Sequence, residues 1–383
     1  MPAEKSRSSW MDDDLQTYRD CVRCFVEREF APRQDNWRRA NRPDSDAWNK
    51  AGEIGMLLTD IPREYGGLGG TFANSAIVLE ELARAGVYLG VREQSIVAHY
   101  ILNYGTEEQK HRWLPRMASG DLIGAIAMTE PSAGSDLQAL KTSARRANEV
   151  YIVNGSKTFI TNGTLAGIVC LAVRTDPKAA TGKGISLLIV ETKDCPGFRA
   201  GDPLVKVGLH QQDTCELFFD DAPVPAWNLL GQVEGRGFFQ MMEQLPLERL
   251  AIGVHAISMA ERAVGLTSKY VKERVAFGKP LLDFQNTRFK LAECMAAVHV
   301  GRVFLDHCIE LRIAGRLDPV TAATAKYWLT ECQFRVIDEC VQLHGGYGYM
   351  DEYPISRMWA DSRMQRIGGG TNEIMKEVIG WSV

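Results

Sequence analysis

A chain of 383 residues with 45% hydrophobic content can bury more than one core, so two or three domains are expected. Its net charge of −4, with no basic tract, excludes the surface that tracks a phosphate backbone, and nucleic acid is not an expected partner. Nine cysteines without regular spacing read as reduced, packed thiols in a cytoplasmic protein, and no apolar run approaches the ~20 residues that span a bilayer.

The opening stretch MPAEKSRSSWMDDD has no apolar segment and carries Asp12, Asp13 and Asp14 in a row, so neither a secretory signal nor a transit peptide is expected. From Asp13 to Gly120 apolar residues recur at three-to-four spacing, as in Leu15, Cys21, Val22, Phe25 and Val26 and again in Ile77, Leu79, Leu82 and Ala83. That periodicity predicts an all-helical region. Cys21 and Cys24 spell CxxC inside the first of these helices, but without a βαβ pattern or a second Cys/His pair they predict neither a redox centre nor a metal site. At Leu122 the character changes to short β-rich runs, Val150–Val153, Ile168–Val173, Ile185–Val190 and Glu216–Phe219, separated by Gly, Pro, Asp and Asn, which predict a small antiparallel β domain. From Gly237 the helical period returns over 238–274, 284–315 and 319–344, and short connections such as Gly315–Pro319 favour antiparallel neighbours in a bundle. The expected fold is α+β multidomain: an N-terminal α-helical domain over 1–121, a middle antiparallel β domain over 122–236 and a C-terminal four-helix bundle over 237–383.

Two motifs in the middle region carry chemistry. Ala127–Asp136 reads AMTEPSAGSD, and Lys157–Gly163 reads KTFITNG. Hydroxyls at Thr129 and Thr161, an aromatic at Phe159 and a turn of small residues around Gly134 suit a flat ring with polar edges approaching the main chain closely. Read alone, the same segment is also an ordinary Ser/Gly turn between strands, and Phe159 a plain core aromatic. No GxGxxG follows a strand, so a dinucleotide site of the doubly wound type is not indicated.

Further segments stand in fixed order: IPREYGGLGG at Ile61–Gly70, YGTEEQKHRWLP at Tyr104–Pro115, RVAFG at Arg274–Gly278 with Gln285 downstream, QLHGG at Gln342–Gly346, and GGGTNEI at Gly368–Ile374. Together with the two middle motifs, over roughly residues 50–380, the sequence resembles the acyl-CoA dehydrogenase family. AKYW, VQLHGGYGYMDEYPI and GGTNEIMKE look most like its long-chain branch. The resemblance implies FAD as cofactor, an acyl-CoA thioester as substrate, fatty-acid β-oxidation as setting, an electron-transfer flavoprotein as acceptor and a homotetramer as assembly. It implies Met128 and Thr129 at the pyrimidine edge of the flavin, Thr161 near N5 and Phe159 over one ring face, with Phe277 among the cofactor contacts. Arg274 and Gln285 of one subunit, with Gln342, Gly345 and Gly346 of a neighbour, would hold the pyrophosphate and adenosine, assisted by Thr371 and Glu373. Arg suits phosphate because its planar fork pairs bidentately, although read alone Arg274 at a helix end is more often a solvated or dipole-complementing charge. Ser135 would bond the pantetheine arm of CoA, or be an ordinary turn serine.

Oxidation at Cα–Cβ of a thioester needs a carboxylate base for the α-proton and an organic hydride acceptor. Many family members carry that base where this chain has Gly369, and no carboxylate stands at 368, 369 or 370. The long-chain and isovaleryl branches carry it in an ER pair on a later helix, and here LPLERL supplies Glu248 with Arg249. Glu248 is therefore the expected base. With Pro246 at the first helical position, Glu248 would fall in the first turn, where free N–H groups stabilise its anion and limit how far its pKa climbs. In isolation, such a Glu is a solvated capping residue and Arg249 a surface charge. By likeness Arg249 shapes the substrate side of the pocket, and the Gly369 backbone N–H donates to the thioester oxygen.

Gly368, where relatives often carry an aromatic, leaves a bare loop, and Pro246 replaces a frequent Asp. Both changes widen the expected pocket toward long or bulky acyl chains. Two other readings remain at this level: a flavin oxidase or monooxygenase on the same scaffold, and a non-catalytic flavin- or acyl-CoA-binding partner subunit.

Overall fold

The structure is a computed structural model that describes residues 7–180 and 182–383. The first six residues of the opening stretch read for a targeting signal lie outside the described residues. Helices α1 (Asp13–Phe25), α2 (Gln34–Ala40), α3 (Asp46–Glu53), α4 (Phe72–Ala85), α5 (Val91–Tyr104) and α6 (Glu107–Ala118) come first. Thr71 and Thr106 close capping boxes at the starts of α4 and α6, each satisfying free N–H groups of the first turn. Strands follow: β1 (Gly124–Ala127), β2 (Ser143–Ala147), β3 (Val150–Thr161), β4 (Ile168–Arg174), β5 (Ile185–Glu191), β6 (Phe198–Ala200) and β7 (Thr214–Pro225). Then come α7 (Gly237–Glu273), α8 (Gln285–Ile313), α9 (Pro319–His344), α10 (Pro354–Gln365) and α11 (Asn372–Gly380), with a short hairpin, β8 (Val275–Ala276) and β9 (Lys279–Pro280), between α7 and α8.

The helix–sheet–helix order is the expected one. The sheet is not purely antiparallel, however: β1 runs parallel to β4, with Gly124 opposite Ile168, while β2–β3, β3–β7, β4–β5 and β6–β7 are antiparallel. Strand direction depends on where the chain re-enters the sheet, which local alternation does not encode. β4 and β5 are buried along nearly their whole length because both faces are covered. Ile168, Cys170 and Ala172 of β4 pack on the helices, while Val169, Leu171 and Val173 alternate into a second core inside the sheet.

Two side-chain amides fasten helix to sheet. Gln94 of α5 donates to the Met117 and Leu122 carbonyls, both at 2.9 Å, and accepts from Gly124 N at 2.6 Å. Asn162 donates to the Gly90 and Gly124 carbonyls at 3.1 Å. These bonds consume backbone groups that the loops leave unpaired, and they fix the start of β1 against the start of α5.

The α7 helix corrects one expectation. It begins at Gly237, so Pro246 lies inside it rather than at its first position. Met241 and Leu245 supply a buried pair at i, i+4 that extends the helix N-terminal to the proline, outweighing the one backbone bond that proline forfeits. Glu248 is thus a mid-helix residue and receives nothing from N-terminal N–H groups.

Candidate active site

The two middle motifs meet at the outer end of the sheet. Thr158 N donates to Thr129 O at 3.0 Å, and the Lys157 ammonium bonds Met128 O at 3.0 Å and Glu130 Oε1 at 2.8 Å. Glu130 also accepts from Lys141 N at 2.6 Å and Thr142 N at 2.9 Å. Burial alone would raise the Glu130 carboxyl, but its bonds from Lys157, Thr142 and the Lys141 N–H hold it below the usual carboxylate range. This fully buried ion pair locks the turn after β1 onto β3.

On that platform β3 bulges against β7 between Lys157 and Ile160, and Phe159 takes the left-handed conformation with φ of 60°. An aromatic residue there costs about 1–2 kcal/mol of backbone energy. Its ring is 67% exposed despite its size. An uncovered aromatic held in a strained position beside Thr129 and Thr161 fits a flat heteroaromatic partner, which would cover the apolar face while the hydroxyls meet polar edges. Met128, Thr129 and Thr161 are half-buried and Ser135 is exposed on the adjoining turn, so the residues present fit a flavin.

Glu248 faces inward from α7. It is 8% exposed, and the Tyr100 hydroxyl of α5 donates to its Oε1 at 3.3 Å. Burial pushes its carboxyl up to about 7, against the pull of the Tyr100 hydroxyl and the Arg92 and Arg249 guanidiniums. Glu248 lines a cleft between α4, α5 and α7, with Phe72, Val78, Leu79, Ile96, Leu247 and Ala251 as its apolar wall. A carboxyl that is half-ionised near neutral pH at the edge of an apolar cleft has the properties of a general base.

The glycine loop comes to the same face of α7. A Cβ built on Gly369 would lie 2.6 Å from Ile252 Cδ1, and Ile252 stands one turn beyond Glu248. Gly369 and Gly370 have φ of 67° and 87°, a conformation that any other side chain strains. Lys326, fully buried on α9, pins this loop by donating to Gly370 O at 2.7 Å and Asn372 Oδ1 at 2.8 Å. Burial first, and Arg249 second, pull the Lys326 ammonium down to about 7. Arg249 is itself buried, with its Nε unpartnered.

The remaining predicted residues cluster elsewhere. Arg274, Phe277, Gln285, Gln342, Gly345 and Gly346 are exposed at one end of the bundle, where the Arg274 guanidinium lies 5.8 Å from the Tyr347 ring centroid. Among the described residues, no hydrogen bond or ring contact joins them to 128–161 of the same chain. Thr371 caps α11 by accepting from Ile374 N at 3.4 Å, and Glu373 is exposed in its first turn. Sequence reasoning passed over Tyr100, Lys326 and Arg92. Lys326 carried a signal, a cation amid the alanines of a helix at Ala322, Ala323 and Ala325; Tyr100 carried none.

The acyl-CoA dehydrogenase N-terminal, middle and C-terminal domain families match residues 12–121, 125–222 and 235–383. The chain is 46% identical over 368 residues to the mitochondrial long-chain specific acyl-CoA dehydrogenase of Mus musculus, covering 94% of this chain and 84% of the mouse protein. The crystal structure of an acyl-CoA dehydrogenase from Geobacillus kaustophilus superimposes with a TM-score of 0.95 at 46% identity, over 98% of this chain and 99% of that one. A glutaryl-CoA dehydrogenase from Mycobacterium smegmatis, solved in complex with FADH2, superimposes with a TM-score of 0.90 at 30% identity, over 97% and 95% of the two chains.

Proposed function

This chain belongs to the acyl-CoA dehydrogenase family of FAD-dependent oxidoreductases acting on CH–CH groups, and from that premise we propose that it converts a long or bulky acyl-CoA to the trans-2-enoyl-CoA with Glu248 as base. The observation that carries the proposal is the burial of Glu248 against a cleft with its carboxyl pushed up to about 7. FAD, when bound, supplies the acceptor for the β-hydride. Phe159 would stack on the flavin, while Met128, Thr129 and Thr161 would meet its polar edge. Glu248 takes the α-proton, and the Gly369 N–H donates to the thioester oxygen, where enolate charge develops. Ser135 bonds the pantetheine arm, and Arg249 and Gly368 shape the substrate side.

We assign 1–121, 122–236 and 237–383 as the N-terminal, middle and C-terminal domains. Arg274, Phe277, Gln285, Gln342, Gly345, Gly346, Thr371 and Glu373 serve the pyrophosphate and adenosine across a subunit boundary, which makes a homo-oligomer, a tetramer, part of the site. An electron-transfer flavoprotein takes the electrons in acyl β-oxidation in the cytoplasm. No helix among the described residues is long and apolar enough to cross a membrane.

The test is anaerobic bleaching of the yellow protein by a panel of acyl-CoA thioesters. Glu248→Gln is expected to abolish bleaching while FAD stays bound; bleaching at the parent rate removes Glu248 as the base. A panel optimum at the shortest chains overturns the substrate class. Peroxide release under air at the turnover rate assigns dioxygen, not a flavoprotein, as acceptor.

A further inference from the structure

The ion pair of Glu130 and Lys157 is more than the fastening of the turn after β1 requires. Replacing a buried ion pair by apolar side chains of similar volume is often neutral or stabilising, so a pair kept beneath a cofactor cradle calls for a second role. Lys157 has no exposed surface, and its ammonium makes two bonds, one to Glu130 Oε1 at 2.8 Å and one to Met128 O at 3.0 Å. Glu130 is fixed as a carboxylate by the Lys141 and Thr142 N–H groups, at 2.6 and 2.9 Å. Burial pulls the ammonium down to about 8 against the pull of Glu130, so the lysine is charged at neutral pH.

The bond to Met128 O has a direction. The Met128–Thr129 peptide is trans, so its N–H points away from its carbonyl. With the oxygen turned inward to Lys157, the Thr129 N–H is turned outward from the buried pair, and among the described residues it meets no acceptor. Thr129 O accepts from Thr158 N at 3.0 Å, which sets this peptide beside the residue preceding Phe159 and its uncovered ring. Carbonyl and N–H share one resonance system: a cation on the oxygen draws density from the nitrogen and makes its proton a stronger donor. Lys157 and Glu130 together are neutral, so their direct fields largely cancel at a distance, and the polarised N–H is what carries the charge of Lys157 outward.

We infer that Lys157 is a positioning residue for the flavin: through the Met128–Thr129 peptide it strengthens the donor offered to the pyrimidine edge, so that the electron-rich reduced ring is held more tightly than the oxidised one. The inference rests on the proposed function in that it takes Thr129 as a neighbour of the flavin. Glu130 keeps the cation in place and balanced.

The test measures the midpoint potential of the bound flavin in the FAD-loaded full-length protein, by anaerobic equilibration with a reference dye. Lys157→Gln combined with Glu130→Gln keeps polar groups at both positions and removes both charges. At a fixed dye ratio the proportion of reduced to oxidised flavin is expected to fall about tenfold, which is about 30 mV for a two-electron couple. A pair that only braces the turn would weaken oxidised and reduced FAD alike and leave the potential at the parent value, which overturns the inference. Lys157→Met combined with Glu130→Gln carries the same expectation and stands in should the first variant lose its FAD. The placement of the flavin is read separately, in the parent holoenzyme. Met followed by Thr occurs once in the sequence, so carbon-13 at the methionine carbonyl and nitrogen-15 on threonine isolate the amide resonance of Thr129. That resonance is expected to move when dithionite reduces the flavin. A resonance that stays in place removes Thr129 from the flavin edge and takes the inference with it; one that moves while the variants keep the parent potential overturns the inference alone.

Discussion

As the proposed base, Glu248 would couple activity to stability through one ionisation. Its folded-state pKa of about 7 lies above the 4.5 of an exposed glutamate. Below pH 4.5 the group is protonated in folded and unfolded chains alike and contributes nothing to the difference. As pH rises from there toward 7 the unfolded chain ionises first, so stability falls, and above pH 7 the loss is complete at about 3 kcal/mol. Over the same window the proposed base gains its charge, and turnover is expected to rise. Glu248→Gln should therefore melt on the order of 4 °C higher than the parent near pH 8 and nearly level with it near pH 5, in ligand-free holoenzyme. A difference of equal size at both pH values would show that the carboxyl is not held up by burial. LERL singles out Glu248 as a candidate, but its place in the helix reads two ways: the apolar period over 238–274 runs through Pro246, whereas Pro246 itself reads as a helix start, and the packing of Met241 and Leu245 decides for the former. Tyr100 was illegible altogether: nothing in a helical aromatic announces a carboxylate 148 residues away.

Between elements, a knot of charge ties the two helical regions together. Glu80 of α4, with no exposed surface, pairs with Arg19 of α1, Arg302 of α8 and Arg84 of its own helix, while Arg302 reaches Glu261 of α7 at 3.0 Å. Burial pulls the Arg19 guanidinium down even with Glu80 beside it, and removing that carboxylate leaves Arg19, Arg84 and Arg302 to share only Glu81, Glu261 and Asp306. Glu80→Leu is expected to cost about 3–5 kcal/mol and to raise amide exchange along α4 and α8; a loss under about 1 kcal/mol would mean that solvent reaches the cluster. The ends of the long helices were readable, 238–274 against Gly237–Glu273 and 319–344 against Pro319–His344, because amphipathic periodicity is a local property. The continuous apolar runs of β4 and β5 were equally plain. β3 was cut short at Val153, since Asn154, Gly155 and Ser156 interrupt the alternation and the bulge at Phe159 breaks it again. The strain at Phe159 is the part of the proposed cofactor cradle no sequence pattern gives: a Phe in a β-rich run predicts an inward ring, whereas the bulge turns it out.

For the whole molecule, the proposed assembly turns on α8. Its inward face carries Leu291, Cys294, Val298 and Leu305, and the opposite face repeats apolar residues at Phe289, Ala296, Val300 and Val303. Phe289, Val300 and Val303 are 57%, 55% and 59% exposed in the single chain. A helix apolar on both sides belongs in an interior, and in the proposed oligomer a second copy of this chain would cover it together with the exposed residues proposed for the cofactor, because Gln285 opens this same helix and Arg274 precedes it. Burying a valine is worth about 1.5–3 kcal/mol, so Val300→Asp with Val303→Asp should weaken association by at least ~100-fold and shift the sedimenting species from tetramer to smaller forms. Because Arg274 and Gln285 of one subunit would reach the cofactor of another, FAD should dissociate in step with the subunits, while the stacking platform at Phe159 stays folded. A parent protein that sediments as a monomer would remove the role of α8, and small forms that keep their FAD would show that each chain holds the cofactor alone.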